Sequence, residues 1–275
     1  MDVYSFIKAS LGEISQTSFK LFWNRKYEEC FGLLDHNIRI IGMSSIGMSD
    51  LLVWHHCGQM LGKEVWNNTF TLPKPPSKSE IKSLFLYQNE REELTNTTLQ
   101  NNNGILQQPM IIDKAIHASF IGIQQECEEV IETGTFLGGS AYLFSGSFAT
   151  VTTIEADRDL FNSASSWLTK STSNVRCYLG NSNSILDEVL LEESKRKKLF
   201  YLDAHYSGGP TSSSFGVSPL LEELRSIVHT VPKYVIVIDD ARLIGTDGYP
   251  SFEQIFQIVP RNKQCQIRYD QVIII

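Results

Sequence analysis

The sequence lacks the long apolar runs that carry a chain through a membrane. None of its 275 residues falls in a run of about 18 uncharged, apolar residues, the length that a membrane-spanning helix needs. The N-terminus also lacks the basic start and apolar stretch of a secretion signal, so we expect no signal peptide. We therefore expect a cytoplasmic protein with no membrane partner.

Positive charge is also scarce. The chain has 24 Lys and Arg against 31 Asp and Glu, a net charge of −7. Proteins that bind nucleic acid without sequence preference need basic surface to neutralise phosphates, so the acidic balance argues against a nucleic-acid partner. The five cysteines are odd in number and irregularly spaced, which is typical of reduced thiols rather than of a disulfide framework.

The chain changes character near residue 110. Residues 1–110 carry scattered helical patterns and end in a polar run, TNTTLQNNNG, that predicts a loop or linker. Beyond it, short apolar runs alternate with helical stretches. We therefore predict a mainly helical cap or oligomerisation region over residues 1–110 and an α/β domain over residues 111–275. The N-terminal helices are candidates to cover the active site or to form the interface of a homodimer.

Seven short apolar runs are predicted to be strands. Helical stretches separate the first five, which predicts βαβ units and a parallel sheet covered on both faces. Only Asp270 and Gln271 separate the last two runs, which favours an antiparallel hairpin. The predicted strands are Val130–Glu132, Val151–Glu155, Val175–Leu179, Leu199–Leu202, Tyr234–Ile238, Cys265–Tyr269 and Val272–Ile275.

A glycine-rich turn follows the first predicted strand. In open α/β sheets, ligands bind beyond the carboxyl ends of the strands, so such turns carry the candidate residues. The segment ETGTFLGGS runs from Glu132 to Ser140, and its Gly134 and Gly138 would let a ligand approach the backbone. Its spacing departs from the G-x-G-x-x-G dinucleotide pattern, and its acid suits a ligand with an amino group. A turn needed only for tight packing is the alternative.

Polar residues also end the second and third strands. Glu155 lies about 20 positions after Gly134, the spacing at which an acid binds ribose hydroxyls. A solvated strand end is the alternative for Glu155. Asp157 is predicted to cap the next helix. Asn181 and Ser182 form a turn that would lie beside the base in a nucleoside pocket.

Three further carboxylates follow the fourth and fifth strands. They are Asp203 and the pair Asp239-Asp240. Because neighbouring strand ends converge, these acids would repel one another unless a cation or a shared proton balances them. Oxygen ligands in this arrangement suit Mg²⁺, Mn²⁺ or Ca²⁺. The alternative is that Asp239 and Asp240 cap a helix or pair with Arg242.

The ordered set of motifs resembles the class I S-adenosylmethionine-dependent methyltransferases. The set comprises the E-x-G-x-x-x-G-G-S turn, the I-E-A-D strand end, the G-N-S turn, the F-Y-L-D-A-H strand and the closing hairpin. This resemblance implies a Rossmann-like, seven-stranded sheet in the order 3-2-1-4-5-7-6 with the last strand antiparallel. It also implies S-adenosylmethionine as the cofactor. The implied cofactor-binding residues are Glu132, Gly134, Thr135, Gly138, Ser140, Glu155, Asn181, Ser182 and Asp203.

Within this superfamily, the acids resemble those of the metal-dependent O-methyltransferases that act on sugars and other small molecules, of the macrocin O-methyltransferase type. The resemblance implies Mg²⁺ held by Asp203, Asp239 and Asp240, and a small-molecule acceptor such as a sugar. Asp203 or His205 would take the proton of the acceptor hydroxyl. The continuation after Ala204 (HYSGG) departs from the family pattern.

Two other classes of protein stay open. An NAD(P)-dependent oxidoreductase of the Rossmann type would also bind ribose through Glu155, but the glycine spacing and the closing hairpin favour the methyltransferase. A non-catalytic binding module with the methyltransferase fold is the other class, against which the strand-end acids argue. A nucleic-acid methyltransferase is disfavoured because Leu202-Asp203-Ala204-His205 stands where an N-P-P-Y-type motif would lie.

Overall fold

The computed structural model describes most of the chain. The described residues are 13–41, 48–63, 65, 74–83, 111–191, 196–204, 218–246 and 248–275. Within these ranges, no helix combines the length and the apolar character that crossing a bilayer requires.

A single mixed sheet forms the centre of the described structure. Its strands are β1 (Glu129–Thr133), β2 (Thr150–Glu155), β3 (Val175–Leu179), β4 (Lys198–Leu202), β5 (Tyr234–Ile238), β6 (Cys265–Arg268) and β7 (Gln271–Ile274). Their order is β3-β2-β1-β4-β5-β7-β6. Strands β1 to β5 pair in parallel, whereas β7 runs antiparallel to both β5 and β6. The predicted fold class, strand order and antiparallel last strand are therefore confirmed.

Helices precede the sheet and cover both of its faces. The N-terminal helices are α1 (Glu13–Trp23), α2 (Tyr27–Ile41) and α3 (Met48–Met60), and α4 (Ile111–Gln124) leads into β1. The crossover helices are α5 (Gly139–Ser145), α6 (Arg158–Ser171), α7 (Ser182–Leu191) and α8 (Leu220–Thr230). A 3₁₀ turn (Ala241–Leu243) follows β5, and α9 (Phe252–Ile258) precedes β6.

The burial of the strands explains why their sequences were recognisable. Strands β4 and β5 are buried at every position, because parallel central strands are covered on both faces and therefore form continuous apolar runs. Edge strand β6 is exposed at every position. The predicted strand ends agree with the observed ones to within one residue.

The closing hairpin differs from its prediction by one residue. Strand β6 ends at Arg268 and β7 begins at Gln271, so the turn consists of Tyr269 and Asp270 rather than Asp270 and Gln271. Both turn residues have positive φ angles, 53° and 59°, as a type I′ turn requires. Gln271 is buried in β7. This register places Tyr269, instead of Gln271, beside Asp270 in the turn.

The N-terminal helices share a core with one face of the sheet. One cluster of buried apolar side chains contains Phe22 of α1, Leu52 of α3 and Leu168 of α6. Across this contact, Gln59 Nε2 donates a hydrogen bond to Ser166 Oγ (2.8 Å). A second cluster, from α7, α8 and α9, covers the opposite face. The domain boundary at residue 110 and the role of this region in oligomerisation stay predictions.

Candidate active site

The glycine-rich turn begins where β1 ends. Gly134 and Gly138 adopt left-handed backbone conformations, with φ angles of 89° and 87°. A Cβ atom at Gly134 would lie 2.6 Å from the backbone oxygen of Asp203, which no side chain can accommodate without movement. The turn after β1 and the end of β4 are therefore in direct contact, and the predicted cofactor loop lies beside Asp203.

Glu132 is buried beneath this turn. Its carboxylate accepts hydrogen bonds from Ser140 Oγ and from Thr153 Oγ1, the latter at 2.6 Å. Burial raises the pKa of Glu132 to about 7, against the lowering effect of the two hydroxyl donors. The carboxylate thus joins the first turn of α5 to β1 and β2 and holds the shape of the loop.

Glu155 holds the same loop from the end of β2. Its Oε2 accepts a hydrogen bond from the Phe136 N–H (2.8 Å) and its Oε1 accepts one from the Asp157 N–H (2.9 Å). Burial raises the pKa of Glu155 to about 7. A carboxylate offers about four acceptor positions, so these two bonds leave capacity for ribose hydroxyls. Below the loop, Thr135 Oγ1 lies 2.5 Å from Thr153 Oγ1.

The turn after β3 completes this edge of the sheet. The Gly180 N–H donates to the backbone oxygen of Glu155 (2.8 Å), and Asn181 Oδ1 accepts from the Asn183 N–H (3.0 Å). Buried Ser182 begins α7.

The structure places all the predicted cofactor-binding residues at the carboxyl ends of β1 to β4. They are Glu132, Gly134, Thr135, Gly138, Ser140, Glu155, Asn181, Ser182 and Asp203. Their contacts with a ligand stay predictions.

Asp203 and Asp239 end the two neighbouring strands β4 and β5. Burial raises the pKa of Asp203 well above its ordinary value, and the charges of Asp239 and Asp240 raise it further. Asp239 Oδ2 accepts a hydrogen bond from the Tyr201 hydroxyl (2.6 Å). Asp203, Asp239 and Asp240 are therefore close enough for their charges to affect one another.

A lysine from α4 enters this acidic edge. Lys114 Nζ lies 2.9 Å from Asp239 Oδ1 and 3.0 Å from Asp270 Oδ2, and it also pairs with Asp240. Only 7% of the Lys114 side chain is exposed. Burial alone would lower the pKa of this ammonium, but the carboxylates of Asp239 and Asp240 raise it above its ordinary value. Lys114 is therefore a permanent positive charge within the acids.

Arg242 adds a second cation at the outer side of the acids. Its Nη1 lies 2.5 Å from Asp240 Oδ1 and also pairs with Asp270. The Arg242 backbone N–H donates to Asp270 Oδ1 (2.8 Å). Of the two interpretations offered by the sequence, a metal site or pairing with Arg242, the second is the one found for Asp240.

These contacts do not fit the predicted Mg²⁺ site. A divalent cation held by Asp203, Asp239 and Asp240 needs their oxygens to converge on one point. The ammonium of Lys114 instead lies against Asp239 and Asp240, while the Tyr201 hydroxyl engages the second oxygen of Asp239. In the part of the chain that the structure describes, no group of three or more His, Cys, Asp or Glu residues could hold a metal ion.

Comparisons with known proteins give only distant structural likenesses. The chain matches no protein-family model and no curated protein sequence. Among solved structures, it resembles the O-methyltransferase from Bacillus cereus in complex with SAH at 16% identity and a TM-score of 0.45, over 66% of this chain and 88% of that one. It also resembles the O-methyltransferase TomG from Streptomyces achromogenes, solved with SAM, at 14% identity and a TM-score of 0.42, over 61% of this chain and 82% of that one. The SAH-bound methyltransferase PaMTH1 from Podospora anserina resembles it at 13% identity and a TM-score of 0.42, over 67% of this chain and 94% of that one.

Because these scores and identities are low, the fold class rests on the strand order of the chain itself. That order, with its antiparallel β7, is the Rossmann-like methyltransferase sheet expected from the sequence.

Sequence reasoning missed three residues of the acidic edge: Lys114, Tyr201 and Asp270. Lys114 is the fourth residue of α4, where the helix dipole disfavours a cation. This unfavourable position was the signal in the sequence that Lys114 has a special role. Tyr201 was counted as part of a buried strand, and Asp270 as part of a turn. The predicted base His205 lies outside the described residues.

Proposed function

We propose that the chain is an S-adenosylmethionine-dependent methyltransferase that methylates a hydroxyl group of a small molecule, such as a sugar. The observation that carries this proposal is the turn after β1. Left-handed Gly134 and Gly138 stand between the buried carboxylates of Glu132 and Glu155, at the carboxyl edge of a sheet in the methyltransferase strand order.

The donor set at this edge suits the cofactor. S-adenosylmethionine supplies a methyl group on a positively charged sulfonium when it is bound. The carboxylate of Glu155 can accept hydrogen bonds from ribose hydroxyls at the end of β2. The left-handed backbone at Gly134 and Gly138 shapes the turn beside which the amino-acid part of the cofactor would lie. The carboxyl groups of buried Glu132 and of Asp203 lie at this edge, and in their charged form they would attract the cationic cofactor.

The acceptor would react in line with the sulfonium. The acceptor oxygen forms a bond to the methyl carbon as the carbon–sulfur bond breaks, so most of the catalysis is positioning. The proton of the hydroxyl goes to a base on the protein. Asp203 is the candidate because it follows β4 directly beside the cofactor loop. His205 stays a second candidate from the sequence.

Isothermal titration calorimetry with S-adenosylmethionine, S-adenosylhomocysteine and NADH tests the proposal. We expect the first two to bind and NADH not to bind. Glu155→Gln should weaken the binding of S-adenosylhomocysteine by about tenfold, because hydrogen bonds to a charged acceptor are lost. The matched control is Glu222→Gln on the exposed face of α8, which should leave the affinity unchanged. Binding of NADH alone would favour the oxidoreductase instead.

A turnover assay separates an enzyme from a binding module of the same fold. Release of S-adenosylhomocysteine is followed across a panel of hydroxylated small molecules, sugars included. Asp203→Asn should lower turnover at least about 100-fold, the lower range for loss of a general base, while the protein still binds S-adenosylhomocysteine. Turnover by Asp203→Asn at the wild-type rate would remove Asp203 as the base.

A further inference from the structure

The charged side chains at the end of β5 form one connected cluster. Its members are Lys114, Asp239, Asp240, Arg242 and Asp270, which we call the β5-edge cluster. Three carboxylates contact two cationic side chains here. The chain itself therefore balances most of the negative charge that, in the sequence, suggested a metal ion.

We infer that the ammonium of Lys114 is the resident cation of this edge and takes the place of a divalent metal, so that the methyl transfer, if the function proposed above holds, proceeds without Mg²⁺. Lys114 is then a positioning residue, acting through Asp239 and Asp240.

The geometry around Lys114 Nζ is the first support. An ammonium has three donors, and here three carboxylates receive them: Asp239 at 2.9 Å, Asp270 at 3.0 Å, and Asp240. A metal bound by Asp239 and Asp240 would have to displace this ammonium, since two cations at one set of oxygens repel each other. Lysine and metal are therefore mutually exclusive occupants of these two acids.

The backbone that carries Lys114 is fixed in place. The Lys114 carbonyl accepts a hydrogen bond from Gln271 Nε2 (3.2 Å), and Gln271 Oε1 lies 2.7 Å from His117 Nδ1. The His117 ring packs edge-on against Tyr269, with 4.6 Å between centroids. These contacts join the first turns of α4 to the hairpin that carries Asp270. Lys114 is consequently built into the site and is not a surface lysine that reaches over it.

The buried position of Lys114 is energetically unfavourable unless its charge balances the neighbouring carboxylates. A buried ammonium loses its hydration, and a cation in the first turn of a helix opposes the helix dipole. The three carboxylates offset both costs. Removing the ammonium leaves the buried carboxylate of Asp239 and the partly buried one of Asp240 without its charge, and an uncompensated buried charge is strongly unfavourable. A variant without Lys114 should therefore recruit an external cation.

Binding of Mn²⁺, followed by electron paramagnetic resonance, tests this inference directly. We expect the wild-type protein and Lys114→Arg to leave Mn²⁺ free in solution, and Lys114→Met to bind one Mn²⁺ ion. The matched control is Lys198→Met, because Lys198 is an equally buried lysine paired with Glu129 (2.9 Å) at the opposite end of the sheet. It should not bind Mn²⁺.

Two results would overturn the inference. One is Mn²⁺ binding by the wild-type protein as tight as that by Lys114→Met. The other is a folded Lys114→Met that does not bind Mn²⁺. If Lys114→Met does not fold, the wild-type protein and Lys114→Arg still decide the matter, because Mn²⁺ binding by either contradicts a resident ammonium.

A second measurement distinguishes this inference from the proposed function. Calorimetry with S-adenosylhomocysteine and the turnover assay are repeated with EDTA, and neither should change. Turnover that EDTA abolishes and Mg²⁺ restores would overturn the role of Lys114 and leave the methyltransferase proposal standing. A protein that binds neither cofactor form refutes the proposed function, whereas the Mn²⁺ experiment still reports on Lys114.

Discussion

At the scale of single residues, Gly134 is the position at which the candidate site tolerates least change. Its φ of 89° is strained for any other residue, and a Cβ atom would meet the Asp203 backbone oxygen at 2.6 Å. We expect Gly134→Ala to lower the free energy of unfolding by at least about 2 kcal/mol and to weaken the binding of S-adenosylhomocysteine. Urea denaturation and calorimetry measure the two effects.

The control for this substitution is another glycine. Gly32 lies inside α2, where a Cβ atom would meet nothing within 4 Å. Gly32→Ala should stabilise the protein by about 0.5–1 kcal/mol, because alanine favours the helix. Equal changes in the free energy of unfolding at the two glycines would contradict a steric role for the contact between Gly134 and Asp203.

Glu132 links stability to pH. Burial raises its pKa from an ordinary 4.5 to about 7. The unfolded chain loses this proton at the lower pH, so the stability provided by the protonated form is complete below pH 4.5 and lost as the pH rises through about 7. Glu132→Gln keeps the group neutral. Its free energy of unfolding, relative to that of the wild type, should therefore rise by about 3 kcal/mol across this range.

The measurement for Glu132 is urea denaturation at a series of pH values without ligand. Glu222→Gln, an exposed substitution, should show no such trend. A difference between wild type and Glu132→Gln that does not vary with pH would contradict the raised pKa.

At the scale of elements, the start of α6 shows a helix cap that the local sequence predicted. Asp157 was predicted to cap this helix, and its side chain accepts hydrogen bonds from the N–H groups of Asp159 (2.9 Å) and Leu160 (3.0 Å). Asp157→Ala should cost about 1 kcal/mol of stability because these amides lose their acceptor. Asp159→Ala, in the first turn of the same helix, should cost less, since it removes only an interaction with the helix dipole. Thermal denaturation of both variants makes the comparison.

The hairpin shows where element-level prediction reaches its limit. The sequence placed two strands around a two-residue turn, because apolar runs so close together admit no crossover helix. It could not fix the register, since Tyr269, Asp270 and Gln271 are all acceptable near a turn. The buried side chain of Gln271 decides the register by its bonds to α4. That one-residue difference moves Gln271 out of the turn and into β7, where its side chain bonds to α4.

At the scale of the whole molecule, the N-terminal helices and the cofactor loop share one core. Phe22 of α1 is fully buried, and its ring lies 5.8 Å from that of Phe136, whose N–H binds Glu155. Phe22→Ala should cost about 3–5 kcal/mol of stability and also weaken the binding of S-adenosylhomocysteine. We expect a single unfolding transition by circular dichroism and tryptophan fluorescence.

The control for Phe22 is Phe256, an exposed residue of α9. Phe256→Ala should change stability by no more than about 0.5 kcal/mol. Separate transitions for the N-terminal helices and the sheet would contradict a shared core and would favour independent domains divided near residue 110.

The sequence by itself determined the sheet and the residues at its ends. Buried parallel strands need continuous apolar runs, and turns between strand and helix need glycine or polar residues, so both leave local patterns. Only the tertiary structure decided what balances the acids after β5. Lys114 and Asp240 are 126 residues apart, and no local pattern links a lysine in one helix to carboxylates at the far end of the chain. The partner of a buried charge is fixed by packing in three dimensions, which is why the acids suggested a metal and the structure places a lysine there.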